Sequence, residues 1–464
     1  MHANYGDDSP IAAFATTPGN SALTLIRCSG KGVIDLASCV FSADIKNVQG
    51  NTVVHSWIIN TEENHDKKID EVLVSVFRAP KSYTGEDSLD ICCHGGLSAG
   101  KAVMAVLQNS GFRDALPGEF TFRAFMNGKL DLTRCESVME LVSAKTEKGR
   151  SHAVSRLCGS LEKEINDIKN LLVQVLAGAE IYLDYSEDEI SAEFDASASE
   201  EIAGRIPNKD IAVNVLERLK KLSESWQLER VYQEGITVVI AGRPNAGKSS
   251  LFNALLKEDR SIVTEVPGTT RDWIEVLVSM DGIPVRLIDT AGLRNTADSV
   301  EQIGVKRSRK LMQEAHLVLY VIDGAQGLTE EDNKIITQSN GKNIFIWNKA
   351  DIKPASKEFI GVSARNGDGL TELNAAIIMA IQKMTTLLSG DSCGASLGTL
   401  RQKNLVDVAC SALEEALALE EHNEPLDLIA PLIREAVNAL GEITGEVSTA
   451  DILDEMFSRF CVGK

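Results

Sequence analysis

The chain has 464 residues, more than one hydrophobic core normally holds, so roughly two to four domains are expected. Its hydrophobic content of 44% and charged content of 25% are ordinary for a soluble globular protein, and no run approaches the ~18 apolar residues of a membrane span. The formal net charge of -20 argues against a broad nucleic-acid-binding surface, because such surfaces need clustered Lys and Arg. Any RNA contact is expected to be local or made through a partner.

The N-terminal segment MHANYGDDSP has no basic region followed by an apolar stretch, so no secretory signal and a cytoplasmic location are expected. The nine cysteines include no CxxC pair. This scatter indicates a reducing compartment rather than a disulfide framework or a zinc site, and mostly buried thiols are expected.

Short apolar runs alternate with turn residues over about the first 125 residues. Strands are predicted at Ala22 to Ile26, Thr52 to Ile59, Val72 to Phe77 and Leu89 to Cys92. These strands indicate an α+β region.

From about Leu130 the apolar spacing becomes helical. Two groups of apolar residues each fall on one helical face, namely Leu171, Leu172, Val175, Leu176 and Ala179, and then Val215, Leu219 and Leu222. The acidic stretch Glu187 to Glu189 is interpreted as a solvated helix face or loop, and metal or basic-partner binding is the less favoured alternative.

A buried-strand pattern begins after Gly235 with ITVVIAG and continues with VRLIDTAG, LVLYVIDG and NIFIWNK. Near-continuous apolar strands separated by helix-length segments predict a parallel sheet that is covered on both faces. Helical spacing returns after about Thr385, at Leu405, Val408, Ala409, Leu413, Ala416 and Leu417. The C-terminal residues are therefore expected to complete the helical domain that begins near residue 130.

The segment GRPNAGKS, residues 242–249, follows the first of these strands and precedes a predicted helix at Ser250 to Leu256. This context is typical of a phosphate-binding P-loop. Backbone amides would surround the phosphates, Lys248 would compensate their charge, and the Ser249 hydroxyl would coordinate magnesium. The P-loop alone leaves ATP and GTP open.

The motif NKAD, residues 348–351, follows the strand NIFIW and selects guanine. The Asp351 carboxylate can accept hydrogen bonds from guanine N1 and N2, and adenine offers no such pair of donors. Ser363, Ala364 and Arg365 would complete the base pocket.

Two segments between the P-loop and NKAD are predicted switch elements, which the γ-phosphate would order. Asp289 in DTAG would reach magnesium through water, and Thr270 in GTTRD would supply a second hydroxyl to that ion. Leu293 follows DTAG where Ras-like proteins carry the glutamine that orients the attacking water, so another group must position it. Asn245 in the P-loop is suited to hold a monovalent cation against the phosphates, which predicts potassium-dependent hydrolysis.

Three groups of residues together resemble the MnmE (TrmE) family of tRNA modification GTPases over essentially the whole chain. The first group is GRPNAGKSS, PGTTRD, DTAGLR and NKAD; the second is SYTGED and PGEFTFRAFMNGKLDL; the third is the terminal FSRFCVGK, similar to that family's C-x-G-K ending. Related ribosome-assembly GTPases share the first group alone.

The resemblance implies a multidomain fold that combines α/β and α+β architecture. An N-terminal tetrahydrofolate-binding and dimerisation α+β domain would occupy residues 1–128. A helical domain would comprise residues 129–230 and 385–464, the second part ending in the C-x-G-K tail. A Ras-like P-loop G domain with a parallel sheet, residues 231–384, would be inserted between the two helical parts.

The resemblance also implies an activity. Together with a flavoprotein of the MnmG (GidA) type, which carries FAD, the family adds an aminomethyl or carboxymethylaminomethyl group to C5 of the wobble uridine (U34) of certain tRNAs. A 5-formyl- or 5,10-methylene-tetrahydrofolate would supply the one-carbon unit. The implied enzyme is a potassium-activated, magnesium-dependent GTPase. It would act as a homodimer, and as a hetero-oligomer with the flavoprotein.

Site residues follow by motif. The implied GTP contacts are Asn245, Ala246, Gly247, Lys248, Ser249, Ser250, Thr264, Glu265, Val266, Pro267, Gly268, Thr269, Thr270, Asp289, Thr290, Ala291, Gly292, Asn348, Lys349, Asp351, Ser363, Ala364 and Arg365. Potassium would contact Asn245, Thr264, Val266 and Thr269, and magnesium would bind Ser249 and Thr270. Glu301 matches the family's catalytic glutamate and would orient the attacking water through a bridging water, with Lys248 assisting catalysis.

For folate, Arg27, Glu86, Lys129 and Lys464 match positions that line the family's pocket. Glu86 would recognise pterin nitrogens, although without the resemblance each of the four would be interpreted as part of a surface ion pair. Cys461 is implied to dock beside the folate as a catalytic thiol, and its role as nucleophile, proton donor or structural thiol stays open.

Two other functions compete with this hypothesis. A GTP-dependent binding factor, for instance in ribosome assembly, predicts no folate binding. A guanine-nucleotide-regulated scaffold predicts negligible GTP hydrolysis even in potassium.

Overall fold

The computed structural model describes residue 5 and residues 7–60, 67–184, 206–258, 274–290, 310–339, 341–388 and 394–464. The chain divides into two compact units. The first comprises Met1–Met139, Glu162–Lys209 and Ala412–Lys464, and the second comprises Glu140–Leu161 and Asp210–Ser411. Among the described residues, no helix has both the length and the apolar character needed to cross a bilayer.

The regular elements are as follows. The strands are β1 (Ile11–Phe14), β2 (Leu23–Ser29), β3 (Thr52–Asn60), β4 (Lys67–Phe77), β5 (Ser88–His94), β6 (Arg113–Asp114), β7 (Ile236–Gly242), β8 (Ile274–Met280), β9 (Ile283–Asp289), β10 (Leu317–Asp323), β11 (Asn343–Asn348) and β12 (Ile360–Val362). The α-helices are α1 (Val33–Ala37), α2 (Leu97–Asn109), α3 (Glu119–Met126), α4 (Leu132–Ser143), α5 (Glu147–Leu157), α6 (Ser160–Asp184), α7 (Lys209–Glu234), α8 (Lys248–Glu258), α9 (Glu330–Thr337), α10 (Leu370–Leu388), α11 (Leu400–Glu421), α12 (Leu426–Thr444) and α13 (Ala450–Ser458).

The sheet of the first unit has the order β3-β4-β5-β2-β1-β6. Its pairs are antiparallel except for β1 with β6, which is parallel. Alternating residues such as Val72, Val74 and Val76 are buried in the same core as residues of α1 and α2. This period of two places the opposite set of side chains on the other face of the sheet. The four predicted strands are confirmed as β2 to β5.

The sheet of the second unit has the order β12-β11-β10-β7-β9-β8. Strands β7 and β9 to β12 pair in parallel, and β8 is an antiparallel edge strand. On β7, Val238 and Ile240 belong to one apolar cluster, whereas Val239 and Ala241 belong to another. Consecutive residues of a strand point to opposite faces, so the sheet is covered on both sides, as the apolar runs predict.

Helical spacing is largely confirmed. Leu172, Val175 and Ala179 are buried on α6, as are the three predicted core residues of α7. Val408 is an exception, because it is 42% exposed on α11, where Val406 and Ala409 take the buried positions. The predicted four-part domain division stays a prediction, and residues 129–230 and 385–464 contribute to both compact units.

The expectation of mostly buried cysteines is only half right. Of the eight described cysteines, Cys28, Cys93, Cys135 and Cys410 are buried, whereas Cys39, Cys158 and Cys461 are exposed and Cys92 is half-buried. The acidic stretch Glu187 to Glu189 and Cys393 lie outside the described residues.

Candidate functional site

The P-loop connects the end of β7 to the start of α8. Asn245 and Gly247 have left-handed backbone conformations, with φ of 62° and 91°. A Cβ atom on Gly247 would lie 2.1 Å from the Nδ2 atom of Asn348. Gly247 therefore meets two requirements, a positive φ and a close approach, that only glycine satisfies.

Lys248 is the first residue of α8 and is 7% exposed. Its Nζ atom donates to the carbonyl oxygens of Gly242 at 3.0 Å and Arg243 at 2.7 Å. The ammonium group therefore lies against the loop, at the N-terminus of a helix, where phosphate groups are favoured. Ser250 lies on the same helix and is exposed.

Two side chains of the predicted magnesium site, one at the start of α8 and one at the end of β9, are hydrogen-bonded to each other. Ser249 donates from Oγ to Oδ2 of Asp289 at 2.8 Å, and Asp289 is fully buried. The next residue, Thr290, donates from Oγ1 to the carbonyl oxygen of Ile240 at 2.8 Å and so ties the end of β9 to β7. A hydroxyl beside a carboxylate fits a hard divalent cation such as Mg²⁺.

Asn348 joins the base motif to the P-loop. Its Nδ2 atom donates to the carbonyl oxygen of Ala246 at 2.7 Å, and its Oδ1 atom accepts from the backbone N of Ala364 at 3.2 Å. Asn348 is 3% exposed, so its amide has little access to water and these bonds satisfy it. Three of the predicted GTP-binding segments are thus connected through one side chain.

Lys349 makes a second connection to the P-loop. Its Nζ atom donates to the carbonyl oxygen of Asn245 at 3.2 Å and pairs with Oδ2 of Asp323 at 2.7 Å. Sequence reasoning missed Asp323. A signal exists, because Asp323 ends the strand LVLYVID as Asp289 ends β9, and the carboxyl ends of parallel strands share one edge of the sheet.

The remaining base-pocket residues differ in exposure. Asp351 and Arg365 are exposed, so the Asp351 carboxylate is accessible to a ligand. Ser363 is 1% exposed and donates from its backbone N to the carbonyl oxygen of Asp368 at 2.9 Å, which fixes the turn after β12. The backbone N of Ala350 donates to Val362 O at 3.1 Å, so the two base-pocket segments lie side by side.

Several predicted site residues lie outside the described residues. They are Thr264, Glu265, Val266, Pro267, Gly268, Thr269, Thr270, Ala291, Gly292 and Glu301. Their assigned roles stay predictions.

The first unit contains an open cleft of about 280 Å³ beside Arg27. The guanidinium forms a two-point ion pair with Asp90, at 2.9 Å and 3.2 Å, and lies 5.6 Å from the ring centre of Tyr83. Lys81 and Phe77 also line this cleft. Cationic side chains beside aromatic faces suit a ligand that combines a flat ring with carboxylates, so the lining fits a folate.

Glu86 ends a chain of charged residues whose central members, Arg123 and Glu119, are buried. It accepts from Ser29 Oγ at 2.9 Å and from Arg123 at 3.2 Å. Arg123 also donates to the fully buried Glu119 at 2.9 Å, and Glu119 accepts from Arg113 at 2.7 Å. Burial opposes the ionisation of Glu119, but these guanidinium groups and a backbone amide lower its pKa below the ordinary value. Sequence reasoning missed Arg123 and Glu119, although both belong to the PGEFTFRAFMNGKLDL motif.

The C-terminal tail packs on the N-terminal domain of the first unit. Phe457 is fully buried and Phe460 is 7% exposed. Phe457 contacts the ring of Phe122 edge-on with centroids 5.4 Å apart, and Tyr5 lies within 6.3 Å of it. This aromatic cluster holds the last helix, α13, against α3.

Beyond that cluster, the last four residues lie against backbone. The Gly118 amide N donates to the carbonyl oxygen of Cys461 at 3.4 Å, and a Cβ atom on Gly463 would lie 2.4 Å from the carbonyl oxygen of Phe14. The Cys461 side chain is exposed and Lys464 is half-buried. The tail therefore lies against the backbone of the first unit and the thiol is accessible, whereas the predicted place of Cys461 beside a folate stays a prediction.

Three of the four predicted folate residues either belong to one segment, residues 80–90, or contact it. Arg27 pairs with Asp90, Glu86 belongs to the segment, and Lys129 donates from Nζ to the carbonyl oxygen of Pro80 at 3.0 Å. Among the described residues, no hydrogen bond or ion pair joins Lys464 to those three, and its place is on the docked tail.

A P-loop after the first strand of a parallel sheet, with NKAD at the end of β11, defines the class of P-loop GTPases. The sequence matches the family model "GTP-binding protein TrmE N-terminus" over residues 10–129 and the model "MnmE helical domain" over residues 132–461.

Full-length relatives carry the same family name. The tRNA modification GTPase MnmE of Treponema denticola is 42% identical over 99% of both chains, and that of Borreliella afzelii is 40% identical over the whole of both. Among solved structures, the G domain of the T. maritima FeoB iron transporter is 28% identical, covering 32% of this chain and 99% of that one, with a TM-score of 0.25. The chain belongs to the MnmE family of tRNA modification GTPases.

Proposed function

We propose that this GTPase is activated by potassium and that, with an MnmG/GidA-type flavoprotein carrying FAD, it modifies C5 of the wobble uridine, U34, of certain tRNAs. The product would be carboxymethylaminomethyl- or aminomethyl-uridine, and a folate would provide the one-carbon unit. The observation that carries this proposal is the docked tail, because it joins the Cys461 thiol to the part of the first unit that contains Arg27, Glu86 and Lys129.

The GTP-hydrolysing half of the proposal rests on the second unit. Lys248 and the P-loop amides would bind the phosphates, Ser249 and Thr270 would hold magnesium, and Asp351 would accept from the guanine base. Asn245, Thr264, Val266 and Thr269 would contact potassium, and Glu301 would orient the attacking water through a bridging water. The support is the P-loop geometry, together with the motif order shared with the family.

The folate half of the proposal rests on the cleft beside Arg27 and on the neighbouring Glu86, which lies outside the cleft lining. Arg27, held by Asp90, would face the carboxylates of the folate tail, and Glu86, held by Arg123, would accept from pterin N–H groups. Lys129 and Lys464 would add positive charge. When bound, the folate would supply the one-carbon unit, and the exposed Cys461 thiol would act beside it.

A homodimer is the proposed assembly. Leu23, Leu73 and Val53 lie on the face of the first unit's sheet opposite α2, and each is between 48% and 59% exposed. Exposed apolar side chains on neighbouring strands are typical of a protein contact. A second copy of this domain would cover them. A cytoplasmic location, contact with tRNA and the division at residues 128, 230 and 384 belong to the same proposal.

The decisive experiment is mass spectrometry of wobble uridine in tRNA from cells that lack the chain. We expect the carboxymethylaminomethyl and aminomethyl forms to be absent, and to return on complementation with the wild-type chain. If cells that lack the chain keep the wild-type amounts of the two modified forms, the tRNA role is refuted and a GTP-dependent binding factor is favoured instead.

Two measurements on the purified full-length protein test the cofactors. Calorimetry with 5-formyltetrahydrofolate should show binding that an Arg27→Ala change abolishes. GTP turnover should be much faster in potassium than in sodium at equal ionic strength, and equal rates would remove the proposed role of Asn245.

A further inference from the structure

Asp323 is a buried carboxylate at the nucleotide-binding edge of the second unit's sheet. It is the last residue of β10 and is 5% exposed. Its Oδ1 atom accepts from the backbone N of Ala325 at 3.0 Å, which fixes the carboxylate plane. Its Oδ2 atom lies 2.7 Å from Nζ of Lys349. A buried carboxylate needs such partners, because an unpaired charge is costly away from water.

Lys349 connects Asp323 to the P-loop. Its backbone is left-handed, with φ of 65°, and its side chain is only partly exposed, at 33%. The same Nζ atom donates to the carbonyl oxygen of Asn245 at 3.2 Å. One ammonium group therefore bridges the end of β10 and the centre of the P-loop.

Asn245 is the P-loop residue that Lys349 contacts through its backbone. Its φ of 62° is in the left-handed region, which asparagine adopts more readily than other non-glycine residues but which still costs backbone energy relative to the right-handed region. Its side chain is exposed, so the backbone carbonyl is the group through which the rest of the protein holds it. The charge-assisted bond from Lys349 supplies that constraint.

The neighbouring P-loop residues have separate supports. Ala246 is held by Asn348, and Arg243 lies 3.8 Å from the buried carboxylate of Asp332. Asp332 is itself fixed by Tyr320 and by the capping box of α9. Loss of the Asp323 contact would therefore release Asn245 and leave the other two supports in place.

We propose that Asp323 is a positioning residue of the GTPase reaction. It fixes the Lys349 ammonium and, through it, the backbone of Asn245, so that the guanine site and the cation-binding corner of the P-loop are set together. The expected effect on nucleotide affinity concerns the GTP-binding site alone. The expected effect on the potassium requirement rests on the proposed potassium role of Asn245.

The test is Asp323→Asn in the full-length protein, because the amide has the shape of the carboxylate without its charge. The change weakens a charge-assisted contact that supports the P-loop. We therefore expect the Kd of a fluorescent GDP analogue to rise about tenfold. The potassium concentration for half-maximal GTP turnover should rise as well. Turnover at saturating GTP and potassium should fall by a smaller factor than the nucleotide affinity, since Asp323 touches no reacting atom.

Glu330→Gln is the matched control. Glu330 is exposed in the first turn of α9, so this change removes the same charge from the same region without touching Lys349. It should leave both quantities unchanged. Asp323→Glu keeps the charge on a longer side chain, and its potassium requirement should fall between those of the wild type and Asp323→Asn.

Specific outcomes would overturn the proposal. Wild-type Kd and potassium requirement in Asp323→Asn, or an equal change in Glu330→Gln, would do so. If Asp323→Asn does not fold, Asp323→Glu decides: a shifted potassium requirement at an unchanged melting temperature supports the proposal, and no shift refutes it. If wild-type turnover is equal in sodium and potassium, the potassium role fails by itself, and the nucleotide Kd still tests Asp323.

Discussion

Asn348 donates a hydrogen bond from Nδ2 to the carbonyl oxygen of Ala246 at 2.7 Å, although the two residues are 102 positions apart in the sequence. The same amide accepts from Ala364, so the phosphate-binding loop and both base-pocket segments share one buried contact. The Asn348 amide also lies so close to Gly247 that there is no room between them for a Cβ atom. The absence of a side chain at Gly247 therefore sets the spacing between the P-loop and the NKAD segment.

This close approach predicts the effect of Gly247→Ala. The new methyl group would lie 2.1 Å from Nδ2 of Asn348, at a φ of 91°, so the loop and Asn348 must separate. We expect guanine-nucleotide affinity to fall at least about a hundredfold, which corresponds to roughly 3 kcal/mol, measured by titration with a fluorescent GDP analogue. Gly341→Ala is the control, because its φ of 84° imposes similar backbone strain in open space. Similar losses in both variants would show that strain, and not the Asn348 contact, is responsible.

Asp351→Asn should change base preference. The exposed carboxylate would be replaced by an amide whose NH₂ group can donate to the extra oxygen of xanthine, and which accepts more weakly from guanine N–H groups. We expect preference to shift from GTP towards xanthosine triphosphate, measured as the ratio of kcat/KM for the two substrates. Stability should stay within about 0.5 kcal/mol of the wild type, because the side chain is on the surface. Unchanged GTP preference would contradict the base-pocket assignment.

Glu301→Ala should slow GTP hydrolysis and leave GTP affinity nearly intact. An interaction made mainly in the transition state lowers kcat without weakening substrate binding. Removal of a group that positions water costs on the order of a hundredfold in rate. Single-turnover hydrolysis and equilibrium binding, measured side by side, separate the two effects. A parallel loss of affinity would assign Glu301 to nucleotide binding instead.

Cys461→Ser should spare GTP hydrolysis and abolish tRNA modification. The side chain is exposed, and it is the Cys461 backbone oxygen that contacts Gly118, so the tail should remain docked. The two readouts are GTP turnover and mass spectrometry of wobble uridine. Gly463→Ala provides the comparison, because its Cβ atom would lie 2.4 Å from Phe14 O and displace the tail. If Cys461→Ser loses both activities, the cysteine has a structural role.

The buried Glu229 carboxylate is expected to stabilise the fold at neutral pH and to lose this effect in acid. Burial opposes its ionisation, but hydrogen bonds from His152 and Arg156 lower its pKa below the ordinary 4.5. A lowered folded-state pKa stabilises the protein above pH 4.5, and this contribution is lost as the pH falls through the folded value. Glu229→Gln should cost about 1–3 kcal/mol at neutral pH, because it removes one of the two carboxylates that pair with the buried Arg156, while Glu140 remains.

The measurement is the free energy of unfolding in denaturant, determined between neutral pH and pH 3. Below about pH 4.5, this free energy should fall less steeply with pH for Glu229→Gln than for the wild type. Glu147→Gln serves as the control. That residue pairs with Arg150 on the surface, and exposed pairs contribute little. Parallel pH profiles for wild type and Glu229→Gln would contradict the assignment.

The sequence determined the elements and the nucleotide motifs. Apolar runs such as ITVVIAG and LVLYVIDG are local patterns, and their length and composition suffice to predict buried parallel strands. Polar motifs at the ends of those runs then place Lys248, Asp289 and Asn348 at one edge of the sheet. Local periodicity fails where burial depends on a neighbour, as it does for Val408, which has the right spacing but faces solvent.

Tertiary structure decided which side chains support the motif residues. Asp323 lies 26 residues from Lys349, Arg123 lies 37 residues from Glu86, and Cys461 contacts Gly118 from the far side of the whole second unit's sequence. No local period relates such pairs. Their contacts arise because strand order and chain docking bring distant backbone together, and because a buried charge must find a partner wherever the fold provides one.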